Sequence, residues 1–489
     1  MQSICNTATC ACGIPKRIKP MLLLADTAVV DPDPLFILPF AALLLAIALL
    51  PVFLKHHWER HYHTISTGLG SIAVFYYVFR LKAGGEMLHV AGDYISFMAV
   101  IGSLFVISGG IHIRVSSEAK PWVNTLFLLS GTLLGNVIGT TGASMLLIRP
   151  WIRMNKYRFT GHHLAFFIFM VSNIGGGLIP LGPPLIMGYL KGVPFWWTLQ
   201  NCWQGWSVTS ACVLGVFYCM DRINFLKAPR AIREMETDSV KWRVHGLHNV
   251  LFMGIVLVAV VVFPPGTREL AMVVAAGMSY FTTPKPVHDS NEFTFGPIKE
   301  VAWIFAGIFA TMTPALDYMV LHADGLGLHS DAQFYWLSGT LSGVLDNAPT
   351  YLTFLAAAFG LEHLTLDNAG HVHEFIAHHG HYLIAISLGS TCFGAMTYIG
   401  NGPNLMVKAI AEHSNVRTPG FFGYVVRFSV PVLVPIFCLV AWLFFRDDPG
   451  PVRNRIQESK EVVPKIGNRE FYIRQNDESI LLKQIIHGG

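Results

Sequence analysis

Leu337-Ser338-Gly339-Thr340-Leu341-Ser342-Gly343-Val344-Leu345-Asp346-Asn347-Ala348-Pro349-Thr350 sets one carboxylate, one carboxamide and one proline inside an apolar run that extends from about Phe334 to Phe359. In a water-soluble chain this would read as helix, turn and helix, with Asp346 capping the second. Composition changes that reading. Of 489 residues, 53% are hydrophobic and 13% charged, against about a quarter charged in an ordinary globular domain. The chain is therefore read as an all-α polytopic membrane protein with room for about 10–11 spanning helices.

A net charge of +4 is too small to point to nucleic acid. No nucleophile motif, phosphate loop or dinucleotide fingerprint is present, so neither an enzyme nor a bound cofactor is expected. Cys202, Cys212, Cys219, Cys392 and Cys438 lie in or beside apolar runs, where they pack as small hydrophobes. Cys5, Cys10 and Cys12 cluster in an N-terminal head, residues 1–33, that reads as disordered, with a basic and apolar stretch around Lys16 and Met21 that imitates a signal peptide.

Runs able to span a bilayer fall at about 34 to 54, 65 to 80, 94 to 113, 162 to 190, 196 to 220, 248 to 264, 268 to 283, 298 to 320, 382 to 411 and 422 to 445. Two more, 122–148 and 332–360, are broken at Gly135-Asn136-Val137-Ile138-Gly139-Thr140-Thr141-Gly142 and at Asp346-Asn347-Ala348-Pro349-Thr350. Their polar tips need protein or water around them, so each reads as a re-entrant hairpin. The runs 162–190 and 382–411 carry glycine and proline at a density that unwinds a helix, and read as discontinuous helices.

Leu129-Ser130-Gly131-Thr132-Leu133-Leu134-Gly135 matches 337–343 at all but one position, and each is followed by its own Gly-rich broken helix, Gly176 answering Gly394 and Gly182 answering Gly400. The reading is a duplication: repeat 1 over 34–220, a basic cytoplasmic linker over 221–247, repeat 2 over 248–445 and a polar tail over 446–489. Three spans, a hairpin, a broken span and a last span make an odd number of crossings, which inverts the second repeat relative to the first. Arg149, Arg153, Lys156 and Arg158 in one loop, and Arg222, Lys227, Arg230, Arg233, Lys241 and Arg243 in another, place both loops in the cytoplasm; 321–331 and 361–381 hold neither Lys nor Arg and face outward. The basic tail fits this count poorly.

Asp346 is the leading functional residue, because a carboxylate near the bilayer centre costs about 2.5–3.5 kcal/mol on insertion scales and normally marks an ion or proton path. Asn347 and Thr350 offer neutral oxygens beside it, a cage that suits a hard cation such as sodium, while a proton could use the same carboxylate. The aligned position in the first hairpin is Ile138, followed by Gly139, Thr140 and Thr141: one tip brings charge, the other hydroxyls and bare amides. Asn173, Thr397, Asn401 and Asn404, with backbone near Gly176 and Gly400, would line the cavity from the broken helices. Asp317 is a second titratable residue, placed near the outer interface. His363, His371, His373, His378, His379 and His381 read as a solvated loop, with zinc binding as the rival, and His162 and His163 stand at the mouth of a broken helix.

Ser172-Asn173-Ile174-Gly175-Gly176 through Lys191-Gly192-Val193-Pro194-Phe195, Val344 through Thr350, Thr397-Tyr398-Ile399-Gly400-Asn401-Gly402-Pro403-Asn404, and Ile138 through Ser144 resemble the NhaD-type sodium/proton antiporters. These belong to the ion-transporter superfamily with citrate and dicarboxylate carriers and arsenite permeases. The resemblance covers about Pro34 to Phe445. It implies a homodimer with a scaffold and a moving transport domain, working by an elevator-like motion. One departure stands out: Ile179-Pro180-Leu181-Gly182-Pro183-Pro184 lacks the Asp and Thr that members usually carry there, which leaves Asp346 a larger share.

The function expected is sodium or lithium/proton antiport across a bacterial-type inner membrane, with sodium or lithium ions, protons and lipid as partners and no metal beyond the transported cation. A citrate-type organic anion or arsenite carrier is the alternative. A membrane metalloenzyme or metal sensor using 363–381 is the alternative of another class.

Overall fold

The computed structural model describes residues 30–114, 120–228, 243–366, 368–414 and 416–446. The cluster Cys5, Cys10 and Cys12 and the tail beyond Arg446 lie outside them. The described chain up to Phe445 forms one compact unit, and its regular structure is helical apart from one two-stranded ladder.

Asp33 opens the first helical element: its carboxylate accepts from Leu35 N at 2.9 Å, capping the turn Pro34–Ile37 that leads into α1, Leu38–Phe53. α2, Lys55–Phe75, runs into a π-helical turn Tyr76–Arg80, and α3 is Gly84–Gly109. Strand β1, His112–Arg114, pairs antiparallel with β2, Arg243–His245, a contact the sequence did not announce. α4, Pro121–Met154, is two legs joined at Gly139 (φ 73°, ψ 153°), a backbone region open in practice to glycine alone. The first broken helix follows: α5, Gly161–Phe167, a π turn Ile168–Asn173, a 3-10 turn Ile174–Gly176, irregular chain, then α6, Leu185–Leu190. α7, Trp197–Lys227, closes this half.

The second half repeats the order. α8, Asn249–Val262, α9, Thr267–Thr282, the short α10, Lys285–Ser290, and α11, Gly296–Leu321, precede a hairpin of α12, Asp331–Ser342, and α13, Asn347–Leu361. The second broken helix is α14, Ala369–Phe393, a turn Gly394–Met396, irregular chain and α15, Gly402–His413. α16, Phe421–Tyr424, a π turn Val425–Ser429 and α17, Val430–Phe444, end the unit. Among the described residues, five stretches are long and apolar enough to cross a membrane by themselves: Pro34–Pro51, Gly84–Gly109, Pro121–Met154, Gly296–Leu321 and Phe421–Phe444. With bare apolar side chains on outward faces, such as Leu251 and Phe281 at 69% and 85% exposure, this is an all-α polytopic membrane protein.

The repeated heptad has a packing reason. Gly131 and Gly135, one turn apart, lie where a side chain would begin 2.8 Å from Val171 and 2.9 Å from the Gly175 carbonyl; Gly339, the counterpart of Gly131, is 2.7 Å from the Phe393 ring in the same sense. Small residues four apart let each hairpin leg lie directly on its own broken helix.

Two expectations are corrected. The histidine segment is not a loop beyond 369: Asn368 caps α14 by accepting from Gly370 N at 2.8 Å, and Val372 and Phe375 bury on one face, so His371, His373, His378, His379 and His381 are helical, with a kink at His379 (φ −125°, ψ 19°). The linker does not begin at 221, because α7 continues to Lys227 while Asp221 is fully buried.

Candidate functional site

Both hairpin tips rest against the glycines of their own broken helices. At the first tip, a side chain on Gly139 would begin 3.0 Å from the Leu181 carbonyl, and the Thr140 methyl lies 2.8 Å from where a side chain on Gly176 would begin. Asn136 steadies the tip: its Oδ1 accepts from Leu178 N at 2.9 Å, and the Thr198 and Trp206 side chains donate to the carbonyls of Leu178 (2.8 Å) and Ile174 (2.6 Å). The Thr140 hydroxyl is buried with no partner in the protein. Thr141 is half-buried beside it.

At the second tip Asp346 adopts the extended backbone of an N-cap (φ −61°, ψ 138°), and its Oδ1 accepts from Ala348 N at 3.0 Å. The capping role is therefore present, and Asp346 is half-buried rather than sealed in. Thr350 spends its hydroxyl on the Asp346 carbonyl at 2.9 Å. Asn347 is 1% exposed, and neither its Oδ1 nor its Nδ2 has a partner in the protein. Its amide nitrogen lies 3.6 Å from where a side chain on Gly394 would begin. Thr397 ties tip to loop: it donates to the Gly343 carbonyl at 2.7 Å and accepts from Ile399 N and Gly400 N, both at 3.1 Å.

Between the tips a carboxamide cluster joins the two broken helices. Asn173 Nδ2 donates to Asn404 Oδ1 and to the Ile168 carbonyl, each at 2.8 Å, while Asn401 Nδ2 donates to the Ser172 carbonyl at 2.8 Å and to Asn173 Oδ1 at 3.2 Å. Asn404 Nδ2 donates to the carbonyls of Gly394 and Thr397, each at 2.9 Å. Of the residues singled out from sequence, Asn173, Asn401, Asn404, Thr350 and Thr397 are thus committed to protein partners. Asn347 and Thr140 are the buried ones left with unspent hydrogen-bonding capacity.

The electrostatics are one-sided. Segments 136–144, 173–185, 343–350 and 394–404 contain a single charged side chain, Asp346, and no Lys or Arg. Asp317 is elsewhere, accepting from the Tyr77 hydroxyl at 2.6 Å.

Among the described residues of 363–381, no three metal-ligand side chains converge. His379 Nδ1 lies 2.9 Å from Glu362 Oε1 and His381 Nδ1 2.6 Å from Asp331 Oδ1, pairing the start of the second broken helix with both outer ends of its hairpin. Among the described residues, metal-ligand types converge only at His162, His163 and Asp221. There the Asp221 carboxylate is already taken: Oδ1 by Arg158 Nη1 and His163 Nε2 (3.0 Å), Oδ2 by Arg158 Nη2 (3.1 Å) and Asn124 Nδ2 (2.8 Å). A guanidinium in that position repels a cation, so the cluster is a buried ion pair. Sequence reading missed it because Asp221 hides in a basic segment.

A family model described as "Putative citrate transport" matches residues 32–445, nearly the whole described unit. No curated protein matches the chain.

Proposed function

Because the chain belongs to the citrate-transport family, and is thus a multi-pass membrane transporter of the secondary active kind, we propose that it exchanges sodium or lithium ions for protons. The observation that carries this reading is the charge at the tips: one carboxylate, Asp346, and no cationic side chain. A di- or tricarboxylate would meet no counter-charge and one repulsive neighbour; a cation meets an attractive one. Asn347 supplies an amide oxygen without a protein partner beside it, which suits a hard cation that takes oxygen ligands.

In this mechanism Asp346 holds either a proton or the cation. The Ala348 amide keeps one carboxylate oxygen oriented in both states, and Asn347 and the Thr140 hydroxyl contribute neutral oxygens. Asn173, Asn401, Asn404 and Thr397 fix the broken helices, with Gly176 and Gly400 giving the backbone its close approach. Repeats 34–220 and 248–445 then sit in opposite senses in a bacterial inner membrane, and a homodimer with an elevator-like transport domain carries the site across. The like order of elements and the matched glycine contacts in the two halves support the division into two repeats.

Sodium-induced alkalinisation of acid-loaded vesicles tests it. The parent exchanges, and Asp346→Asn, which keeps the cap, loses exchange; equal exchange by both overturns the assignment.

The family description favours a second reading, an organic anion such as citrate held by backbone amides and the Thr140 hydroxyl. Uptake of labelled citrate without proton release on adding sodium alone would select it.

A further inference from the structure

Three membrane-length elements end at one place on the flank of the molecule. The apolar stretch Pro34–Pro51 starts there, α2 finishes there through its π turn Tyr76–Arg80, and α11 finishes there at Leu321. Between these ends lies an open crevice of about 1010 Å³. The chain entering α1 is pinned along it: Asp33 N donates to the Tyr76 hydroxyl at 2.9 Å, and the Phe36 ring stacks on Tyr76 with centroids 3.5 Å apart. The level at which spans end is the headgroup layer of a bilayer, and lining tyrosines such as Tyr76 and Tyr318 suit that level.

One wall of the crevice is graded from apolar to charged. Ile72, Phe75 and Arg80 all line it, and Ile72 precedes Arg80 by eight residues, about 12 Å along a helix axis. Phe75 and its stacked neighbour Phe79 are 62% and 70% exposed, a surface made for hydrocarbon. Arg80 is exposed and has no hydrogen bond or ion pair among the described residues. The same crevice is lined by Asp31, also exposed and unpaired, and by Asp33, one of whose carboxylate oxygens is spent on Leu35 N. His322 completes the lining, its ring stacked on Tyr318 with centroids 4.2 Å apart.

An unpaired guanidinium, an unpaired carboxylate and an apolar wall meet in one crevice at the bilayer edge. We propose that this crevice binds a phospholipid whose headgroup is zwitterionic and carries a primary amine, with the phosphate on Arg80, the ammonium on Asp31 and an acyl chain along Ile72 and Phe75. A guanidinium takes phosphate oxygens by charge-assisted, two-pronged hydrogen bonds. A purely anionic headgroup would set its net charge against Asp31 and Asp33. A choline headgroup has no N–H to give a carboxylate, whereas an ammonium has three. Charge complementarity therefore selects phosphatidylethanolamine over phosphatidylglycerol and phosphatidylcholine.

Native mass spectrometry of the purified full-length protein tests this, because one spectrum reads both the molecules retained and the number of chains. Phosphatidylethanolamine, phosphatidylcholine and phosphatidylglycerol with identical acyl chains, and soluble glycerophosphoethanolamine, are added in turn. Phosphatidylethanolamine is expected to be retained several-fold more than the other three. Arg80→Gln and Asp31→Asn, both at exposed positions that the fold does not depend on, are each expected to bring it down to the phosphatidylcholine level, while Lys156→Gln, at an exposed cation between α4 and α5, keeps it. Equal retention of the three lipids, or undiminished retention in either variant, overturns the proposal. Equal retention of the soluble headgroup overturns it in favour of a phosphate site, and a variant that shifts the ratio of monomer to dimer without changing lipid retention overturns it in favour of a second copy of the chain. None of these readouts involves transport, so they stand apart from the antiport reading.

Discussion

Asn173 donates through Nδ2 to Oδ1 of Asn404, 2.8 Å away across 231 residues of chain. The bond crosses from one broken helix to the other, and both side chains are fully buried. Its environment decides its worth, because every partner left behind by a truncation stays buried.

Asn404→Ala removes the donor that serves the Gly394 and Thr397 carbonyls and the acceptor that serves Asn173. The expected loss is about 2–5 kcal/mol, from two or more stranded groups at about 1–3 each. Denaturation in detergent measures it, and a loss below about 1 kcal/mol would show that the cluster is not a structural joint.

Asp346 carries a cap and a charge, and two substitutions separate them. Asparagine caps as well as aspartate, so Asp346→Asn leaves stability within about 0.5 kcal/mol, while Asp346→Ala costs about 1. Transport is abolished in both. If only the alanine variant lost transport, the carboxylate would matter as a cap alone.

Arg158 and Asp221 are both nearly inaccessible. Asp221→Asn leaves a buried guanidinium without its counter-charge, at an expected cost of about 3–5 kcal/mol, whereas replacing both residues by leucine recovers much of that loss. Zinc or a chelator should leave the melting temperature of the parent unchanged. A zinc-dependent rise would instead make His162, His163 and Asp221 a metal site.

Gly139 has φ 73° and no room for a side chain beside Leu181. Gly139→Ala is expected to cost about 1–3 kcal/mol through strain, read in the same denaturation assay. Gly142, whose φ is not positive, serves as the matched control, with a smaller loss for Gly142→Ala.

Much of the fold was legible because membrane constraints act locally. Apolar length marks a span, and glycine with proline marks a break; the helix interruptions fall inside 122–148, 332–360, 162–190 and 382–411. Helix starts were less legible. α2 and α14 begin well outside the apolar runs, because His-rich and charged residues continue a helix once a membrane segment has nucleated it. In the candidate site, sequence singled out polar residues of the hairpin tips and broken helices but could not tell spent groups from unspent ones. Asn173 and Asn347 look alike in one dimension. Only packing reveals that the first is satisfied by Asn404 and that the second has no protein partner.

The π turn Ile168–Asn173 adds one residue to a helix that otherwise repeats every 3.6, advancing the downstream face by about 100°. At its two ends, the Asn173 side-chain amide donates to the Ile168 carbonyl at 2.8 Å. One rod can thereby aim His163 at Asp221 near one end and Asn173 at Asn404 at the other. Deleting a single residue between Phe167 and Asn173 would preserve the helix and swing the amide out of phase by more than a quarter turn. The register of this rod, as much as its chemistry, determines whether the two halves of the molecule meet.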